Sequence, residues 1–283
     1  DVMAAKLGAT RDSAERMETL ETLHNYPPEM LTAAVVDALL PCLSDGCVDV
    51  THSAVGLLCP LGSAALAPHA PAILAHFEAA QDGARWRVAE VLAALEPEAL
   101  ADQCGASVAA LLAADSDDVR RRAVELLGSF PPAARAQHAP SALALLEDED
   151  EDARLSAVEF FGKLDAATLD ALPGLRDALV GRLDPSLEQE GCVRMTVVTV
   201  LAGLPHEPLL ALVPRLVACL DDDFWRVRRA AMEALTNVPA SALATESHLN
   251  AVLARLTHSE CGSHCSSNTH EPLPRSTTCP AAT

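Results

Sequence analysis

Residues 119–130, VRRRAVELLGSF, carry the pattern that decides the fold. The apolar anchor Val119 is followed by Arg120, by an alanine four positions after the anchor and by leucines seven and eight positions after it. Apolar residues at this spacing lie on one face of a helix. The pattern recurs from five other anchors: Val50 (VTHSAVGLLCPL), Ala84 (ARWRVAEVLAAL), Ala153 (ARLSAVEFFGKL), Val193 (VRMTVVTVLAGL) and Val227 (VRRAAMEALTNV).

The six anchors lie 34, 35, 34, 40 and 34 residues apart. A fixed period of about 20–50 residues is typical of solenoids built from stacked repeats. In several units a proline, such as Pro71, Pro140 or Pro214, opens an apolar helical run that ends in an acidic turn before the anchor. Each unit is therefore predicted to contain two helices, A and B, joined by that turn. The longest spacing contains an insertion, DPSLEQE at 184–190.

The proline, the leucine-rich helix ending in aspartate and the V-R-x-x-A pattern together resemble the HEAT repeat, in its shorter phycobilisome-lyase-like variety. The resemblance covers residues 31–258 and is strongest at Val119, Ala153 and Val227. It implies an all-α fold, an armadillo-like α-solenoid of stacked antiparallel helix pairs. Because members of this family are mostly protein-binding scaffolds, it also implies a scaffold or adaptor.

Three segments are predicted along the chain. Residues 1–28 are expected to form a degenerate capping helix, and residues 29–258 about seven HEAT-like units that end in a lone helix at 246–257. Residues 259–283 have almost no apolar periodicity and are expected to be disordered. The chain opens without an initiating Met or a secretory leader, as expected of a fragment or a processed form.

The composition favours thin helices that meet at close range, because 50% of the residues are hydrophobic and only 3% are aromatic. No apolar run reaches about 18 residues, so no membrane insertion is expected. Six of the nine cysteines are scattered along helical runs, where a thiol behaves as a small hydrophobe. Cys261, Cys265 and Cys279 lack the paired spacing of structural zinc sites. We therefore expect no cofactor, no metal beyond adventitious binding, and a reducing, cytoplasmic location.

The net charge of −20 argues against direct nucleic-acid binding, which needs clustered cations. The acids concentrate in the A–B turns, and a solenoid places these turns along one edge. This predicted acidic edge consists of Glu147, Asp148, Glu149, Asp150, Glu151, Asp152, Asp221, Asp222 and Asp223. Two interpretations stay open for it, plain solubilisation and a docking surface for a basic segment of a protein partner.

An arginine follows the anchor directly in five units, as Arg85, Arg120, Arg154, Arg194 and Arg228. These arginines could form a basic groove. In HEAT proteins, however, an arginine at this position usually lies between repeats and pairs with an aspartate of the turn, so a structural role is favoured. The residue nine positions after the anchor is small in most units, which lets neighbouring helices approach closely.

The outward side of the B helices, which lines the concave face of HEAT solenoids, is the predicted partner-binding surface. Side chains two and six positions after the anchor project together from it. This row consists of Trp86, Glu90, Arg121, Glu125, Leu155, Glu159, Met195, Arg229 and Glu233. Trp, Arg and Met are enriched in binding patches, and we expect a basic or amphipathic partner segment. The alternative is that the Arg and Glu residues form ordinary intrahelical pairs worth about 0.2–0.5 kcal/mol each.

No catalytic residue is assigned, because P-loop, G-x-S-x-G, H-E-x-x-H and C-x-x-C patterns are absent. HEAT-like deoxyhypusine hydroxylases hold two irons with His-Glu pairs in register on their helices. Here His206-Glu207 follows a proline in a turn and His270-Glu271 lies in the tail, so this activity is disfavoured. A phycobilin-lyase-like role rests on the repeat resemblance alone and remains an alternative to the non-enzymatic scaffold.

Overall fold

The computed structural model describes residues 2–10, 12–80 and 82–238, which contain α-helices and short 3₁₀ segments but no strand. The α-helices are α1 (Val2–Ala9), α2 (Ser13–Leu23), α3 (Ala33–Leu39), α4 (Val48–Leu58), α5 (Ser63–Leu66), α6 (Ala70–Ala79), α7 (Asp82–Ala93), α8 (Pro97–Ala110), α9 (Asp117–Ser129), α10 (Pro132–Ala142), α11 (Glu151–Gly162), α12 (Ala166–Ala171), α13 (Leu175–Gly181), α14 (Gly191–Ala202), α15 (His206–Ala211), α16 (Val213–Ala218) and α17 (Trp225–Thr236). The 3₁₀ segments are Pro28–Met30, Leu40–Ser44, Cys59–Leu61, Ala67–His69, Leu111–Ala113, Leu143–Glu147 and Cys219–Asp221.

Seven of these helices form one continuous row. Each packs against the next along the chain, in the order α2, α4, α7, α9, α11, α14 and α17, and we call them the B helices. The helices between them form the A side, where α1 packs on α3, α6 on α8 and α8 on α10. The structure therefore confirms the predicted α-solenoid of stacked helix pairs.

The repeated apolar positions form the core between the two rows. The anchors Val50, Ala153 and Val227 are 0% exposed, and Val119 is 5% exposed. The positions four, seven and eight residues after each anchor are buried as well, as at Ala123, Leu126 and Leu127, the members of this set in α9. Burying a Val or Leu side chain fully contributes about 1.5–3 kcal/mol relative to leaving it exposed, so this stripe holds each B helix in the stack.

The small residue nine positions after the anchor does allow close approach. A Cβ added to Gly128 would lie 2.8 Å from Nζ of Lys163, and one added to Gly162 would lie 3.0 Å from Cγ2 of Val200. Lys163 follows α11 and Val200 belongs to α14, so each glycine faces the next B helix. A larger residue at Gly162 would press on the short, stiff side chain of Val200, whereas one at Gly128 would require the flexible side chain of Lys163 to move.

The A side is more broken than the sequence pattern predicts. The sequence pattern predicts a continuous A helix over 29–43, but the structure has a 3₁₀ turn, α3 and the segment Leu40–Ser44, which contains Pro41. Proline lacks the N–H that an α-helix needs, and its ring clashes with the preceding turn.

No single helix in the described part of the chain is long and apolar enough to cross a membrane. The pair Val48–Leu61 and Ser63–Ala79, bent by 115°, passes that test by length and composition only when taken together.

Residues 1–28 contain two helices rather than the single capping helix that was predicted: α1 packs on α3 and α2 on α4, so the first pair continues both rows. Residues 1–238 form one compact unit. The predicted helix at 246–257, the tail at 259–283 and His270-Glu271 lie outside the described residues.

Candidate protein-binding site

An arginine from a B helix binds the carboxylate of the following A–B turn at four places in the stack, an arrangement that we call the arginine clamp. The four clamps are Arg16–Asp45, Arg120–Asp148, Arg154–Glu188 and Arg194–Asp222. In the last three, the guanidinium binds both carboxylate oxygens at 2.7–2.9 Å. The acid also accepts a hydrogen bond from the backbone N–H two residues after it. Each clamp thus fixes one turn to the preceding repeat.

The clamps are buried, which makes them structural. The side chains of Arg194 and Asp222 are each 2% exposed, and that of Glu188 is 0% exposed. Charges this deep are costly unless they are paired and hydrogen-bonded. Arg194 meets this condition further by donating to the carbonyls of Glu188 and Gln189 at 2.8 and 2.9 Å. The structural interpretation of these arginines is therefore confirmed, and the basic groove is not formed by them.

Two arginines in the same sequence position have other partners. Arg85 donates to the Ser116 hydroxyl at 3.2 Å and to the Ala80 carbonyl at 2.9 Å. Arg228 donates to the carbonyls of Asp222 and Asp223, each at 2.9 Å. Both still hold the turn before their own helix, so the position is used for packing in these repeats as well.

The predicted acidic edge is largely engaged in the same way. Its carboxylates pair as follows: Glu147 with Arg182, Asp148 with Arg120, Asp152 with Arg121, Asp222 and Asp223 with Arg194, and Asp150 with the backbone N–H of Ala153, which it caps at the start of α11. Glu149 and Glu151 have no salt bridge to another described residue, and the carboxylate of Glu190 raises the pKa of Glu151. This pairing leaves few free carboxylates on the edge for a basic partner.

Low pH is expected to weaken the clamps. Burial raises the pKa of Asp148 and of Asp222, but the hydrogen bonds from Arg120 and Arg194, the backbone N–H bonds and the charge of these arginines together outweigh it, so both pKa values lie below the ordinary value. A carboxyl whose pKa is lower in the folded than in the unfolded state stabilises the fold fully above the unfolded value, about 3.9, and loses this contribution as the pH falls through the folded value. The thermal midpoint, followed by circular dichroism, should therefore hold from about pH 7 to about pH 5 and fall below about pH 4.

A comparison variant makes this pH dependence specific. The Asp148→Asn variant has no carboxylate at this position that acid can protonate. Its thermal midpoint should therefore be lower than that of the wild type at neutral pH and should fall less on acidification. A wild-type midpoint that stays constant down to about pH 2.5 would contradict the lowered pKa values.

The predicted partner-binding row is mostly accessible. Trp86, Glu90, Glu125, Glu159, Arg229 and Glu233 are exposed, and Arg121, Leu155 and Met195 are half-buried. Intrahelical pairs do form in this row. Nε of Arg229 donates to Glu233 at 2.8 Å, as the alternative predicts. In α9 the pair Arg121–Glu125 is not formed, because Arg121 pairs with Asp118 of the same helix and with Asp152, while Glu125 pairs with Arg122.

Trp86 lies in a cleft of about 380 Å³ between α7 and α9, which we call the α7–α9 cleft. Its side chain is 39% exposed, and the guanidinium carbon of Arg87 lies 4.0 Å from the ring centroid. The cleft is lined by Trp86, Ala89, Glu90, Leu92, Ala93, Leu95, Pro97, Arg122, Glu125, Leu126 and Ser129. An apolar floor with two carboxylates at its rim suits an apolar side chain flanked by a cation.

A second cleft, of about 400 Å³, lies between α14 and α17 and contains the other tryptophan of the chain, Trp225. We call it the α14–α17 cleft; its lining residues are Met195, Thr199, Trp225, Arg226, Arg229, Ala230 and Glu233. Met195, Arg229 and Glu233 were predicted, but Trp225 was not. It stands two positions before the anchor Val227, at the first residue of α17, outside the frame used to predict the row.

The HEAT repeat family models match residues 106–190 and 212–238, which include the three units where the repeat pattern is strongest. The chain contains HEAT repeats over these residues. It matches none of the curated proteins. Among solved structures, it is similar to an engineered protein (20% identity, TM-score 0.41, covering 85% of this chain and 96% of that one), and to a computationally designed armadillo repeat protein for modular peptide recognition (17%, 0.47, 84% and 99%). It is also similar to a designed armadillo repeat protein in complex with the peptide (KR)4 (18% identity, TM-score 0.44, covering 84% of this chain and 98% of that one).

The remaining reactive side chains of the described residues are dispersed. No group of three or more His, Cys, Asp or Glu residues that could hold a metal ion occurs within residues 2–10, 12–80 and 82–238. His206 begins α15. The six cysteines of the described region are free, and burial raises the pKa of Cys42 and of Cys219 to about 11, which keeps both thiols protonated at neutral pH.

Proposed function

We propose that this protein is a non-enzymatic scaffold or adaptor, and that a segment of a protein partner lies along the exposed side of its B helices. The observation that carries the proposal is Trp86, a tryptophan 39% exposed in a cleft with an apolar floor. Tryptophan dominates binding energy at protein interfaces when it is covered in a well-packed pocket.

The charges at this surface favour a basic or amphipathic segment. Glu90 and Glu159 are exposed and form no ion pair with any described residue, whereas Glu125 is partly neutralised by Arg122 at 2.6 Å. An exposed ion pair contributes only about 0.2–1 kcal/mol. Most of the affinity must therefore come from apolar side chains that cover Trp86, and the carboxylates select and orient the partner.

Reversing the two unpaired charges tests the location of the partner. We expect Glu90→Lys with Glu159→Lys to reduce recovery of the proteins captured by the wild type about tenfold, because two attractions become repulsions that together cost about 1.4 kcal/mol or more. The measurement is affinity capture followed by quantitative mass spectrometry of the proteins that the wild type retains.

The chain offers a matched control on the acidic edge. Glu149→Lys with Glu151→Lys makes the same change of charge at two exposed carboxylates that lie on the A–B turn side instead of the B-helix face. Recovery with this variant should change less than about twofold. Equal losses in both variants, or a larger loss in the control, would remove the B-helix face as the binding surface.

A further inference from the structure

The α14–α17 cleft differs from the α7–α9 cleft in the sign of its charge. Its lining contains two guanidinium groups, those of Arg226 and Arg229, and a single carboxylate, that of Glu233. Arg226 is exposed and has no carboxylate partner among the residues that the structure describes; its guanidinium carbon lies 5.4 Å from the ring centroid of Trp225. The cleft is thus locally positive in a chain whose net charge is −20.

The apolar part of this cleft is also open. Trp225 is 52% exposed, although exposing so large an apolar side chain to water is unfavourable, and Met195 from α14 lies in the same cleft. Trp225, Arg229 and Glu233 follow one another at intervals of four residues, so they share one face of α17. An apolar side chain that entered the cleft would meet the indole and Met195, with the two arginines beside it.

We propose that the α14–α17 cleft binds an acidic segment of a protein partner, with an apolar side chain against Trp225 and Met195 and an Asp or Glu carboxylate on Arg226 and Arg229. The proposal rests on the proposed function in that both place a partner on the exposed side of the B helices. It adds that the segment reaching α17 carries the opposite charge from the segment that lies over Trp86.

The chemistry of the arginines supports a carboxylate ligand. A guanidinium binds a carboxylate through two parallel hydrogen bonds, and stacking on an indole orients it for that contact. The competing Arg229–Glu233 pair is 2.8 Å long, but its side chains are 68% and 65% exposed, so it is a weak exposed pair that a ligand can displace. A basic segment would instead meet the positive charge of Arg226 without compensation.

The two tryptophans provide a local readout. Trp86→Phe leaves Trp225 as the only tryptophan of the chain, and Trp225→Phe leaves Trp86. The probe is a short capped peptide of Asp, Glu and Leu without aromatic residues; its counterpart carries Lys in place of every acid. In the full-length Trp86→Phe protein, the acidic peptide should change the emission of Trp225 saturably and the Lys peptide should not. In the Trp225→Phe protein, the acidic peptide should leave the emission of Trp86 unchanged.

A charge-reversal variant then tests whether Arg226 binds the carboxylates of the peptide. Adding Arg226→Glu to Trp86→Phe should weaken binding of the acidic peptide at least about tenfold. Arg215→Glu is the matched control, because Arg215 is an exposed arginine on α16, on the A side, and its reversal should leave the affinity within about twofold.

Three outcomes would overturn the proposal: no emission change up to about 1 mM peptide, equal binding of the Lys peptide, or equal losses with Arg226→Glu and Arg215→Glu. Capture of the partner is tested with Glu90 and Glu159, which do not line this cleft. The proposed function can therefore fail while the acidic-segment site stands, and the reverse also holds.

Discussion

Replacing Arg194 with Ala is expected to lower the free energy of unfolding by about 3–5 kcal/mol, the loss typical of a buried ion pair from which one partner is removed. The side chain of Arg194 is 2% exposed and binds both carboxylate oxygens of Asp222 at 2.8 Å. Its removal leaves the Asp222 carboxylate buried without its cation and leaves the carbonyls of Glu188 and Gln189 without their donor. Urea denaturation followed by circular dichroism measures the change.

Arg228→Ala is the control, since Arg228 occupies the same position of the next repeat but is exposed and donates to backbone carbonyls. Its loss should cost no more than about 1.5 kcal/mol, the contribution of ordinary hydrogen bonds. Because repeats unfold semi-independently, the transition of Arg194→Ala can also split, with α14 to α17 exchanging amide hydrogens first. Equal destabilisation by the two variants would show that the carboxylate clamp is not what holds this junction.

The B helices could be predicted from the sequence because their signal is local. The pattern predicts a helix over 48–58, and α4 spans Val48–Leu58. Each of the six B helices from α4 to α17 buries residues at the same intervals from its anchor, so the pattern is repeated six times along the chain. The A side was predicted less well, since Pro41 interrupts a helix whose apolar spacing continues past it.

The clamp could be predicted only in part. Its arginine follows the anchor, and its acid stands five positions before the next anchor, as Asp148 does before Ala153 and Asp222 before Val227. Between α4 and α7 both residues of the clamp are missing. Thr51 replaces the arginine and donates to the Cys42 carbonyl at 3.2 Å, and Ala79 replaces the acidic residue.

The state of the other acids depends on contacts between repeats, which the sequence does not contain in an explicit form. Asp148 apart, nothing in the run 147–152 distinguishes the carboxylates that meet Arg121 and Arg182 from those that form no salt bridge with a described residue. Trp225 was missed for a related reason. It begins α17, where positions counted along a helix face do not yet apply, and its exposure depends on how α14 packs beside it.

The inserted segment 184–190 is expected to be indispensable for stability, although an insertion in a turn is usually tolerated. It contains Glu188, which stands five positions before Val193 and so keeps the place of the clamp acid. The Glu188 carboxylate is 0% exposed and binds Arg154 at 2.7 and 2.9 Å, and Arg182 lies 4.0 Å away. The additional residues therefore lie between helix α13 and the acid and do not displace the clamp.

Glu188→Ala should lower the free energy of unfolding by about 3–5 kcal/mol, because the guanidinium of Arg154, 13% exposed, loses the carboxylate that neutralises it. Glu190→Ala in the same insertion is the matched control: Glu190 is exposed, and its loss should change stability by no more than about 0.5 kcal/mol. Urea denaturation of both variants decides between two roles for the insertion. If the two losses are equal and small, the segment only covers the turn; if Glu188→Ala alone is severe, the longer repeat is held in register by the same charge pair as its neighbours.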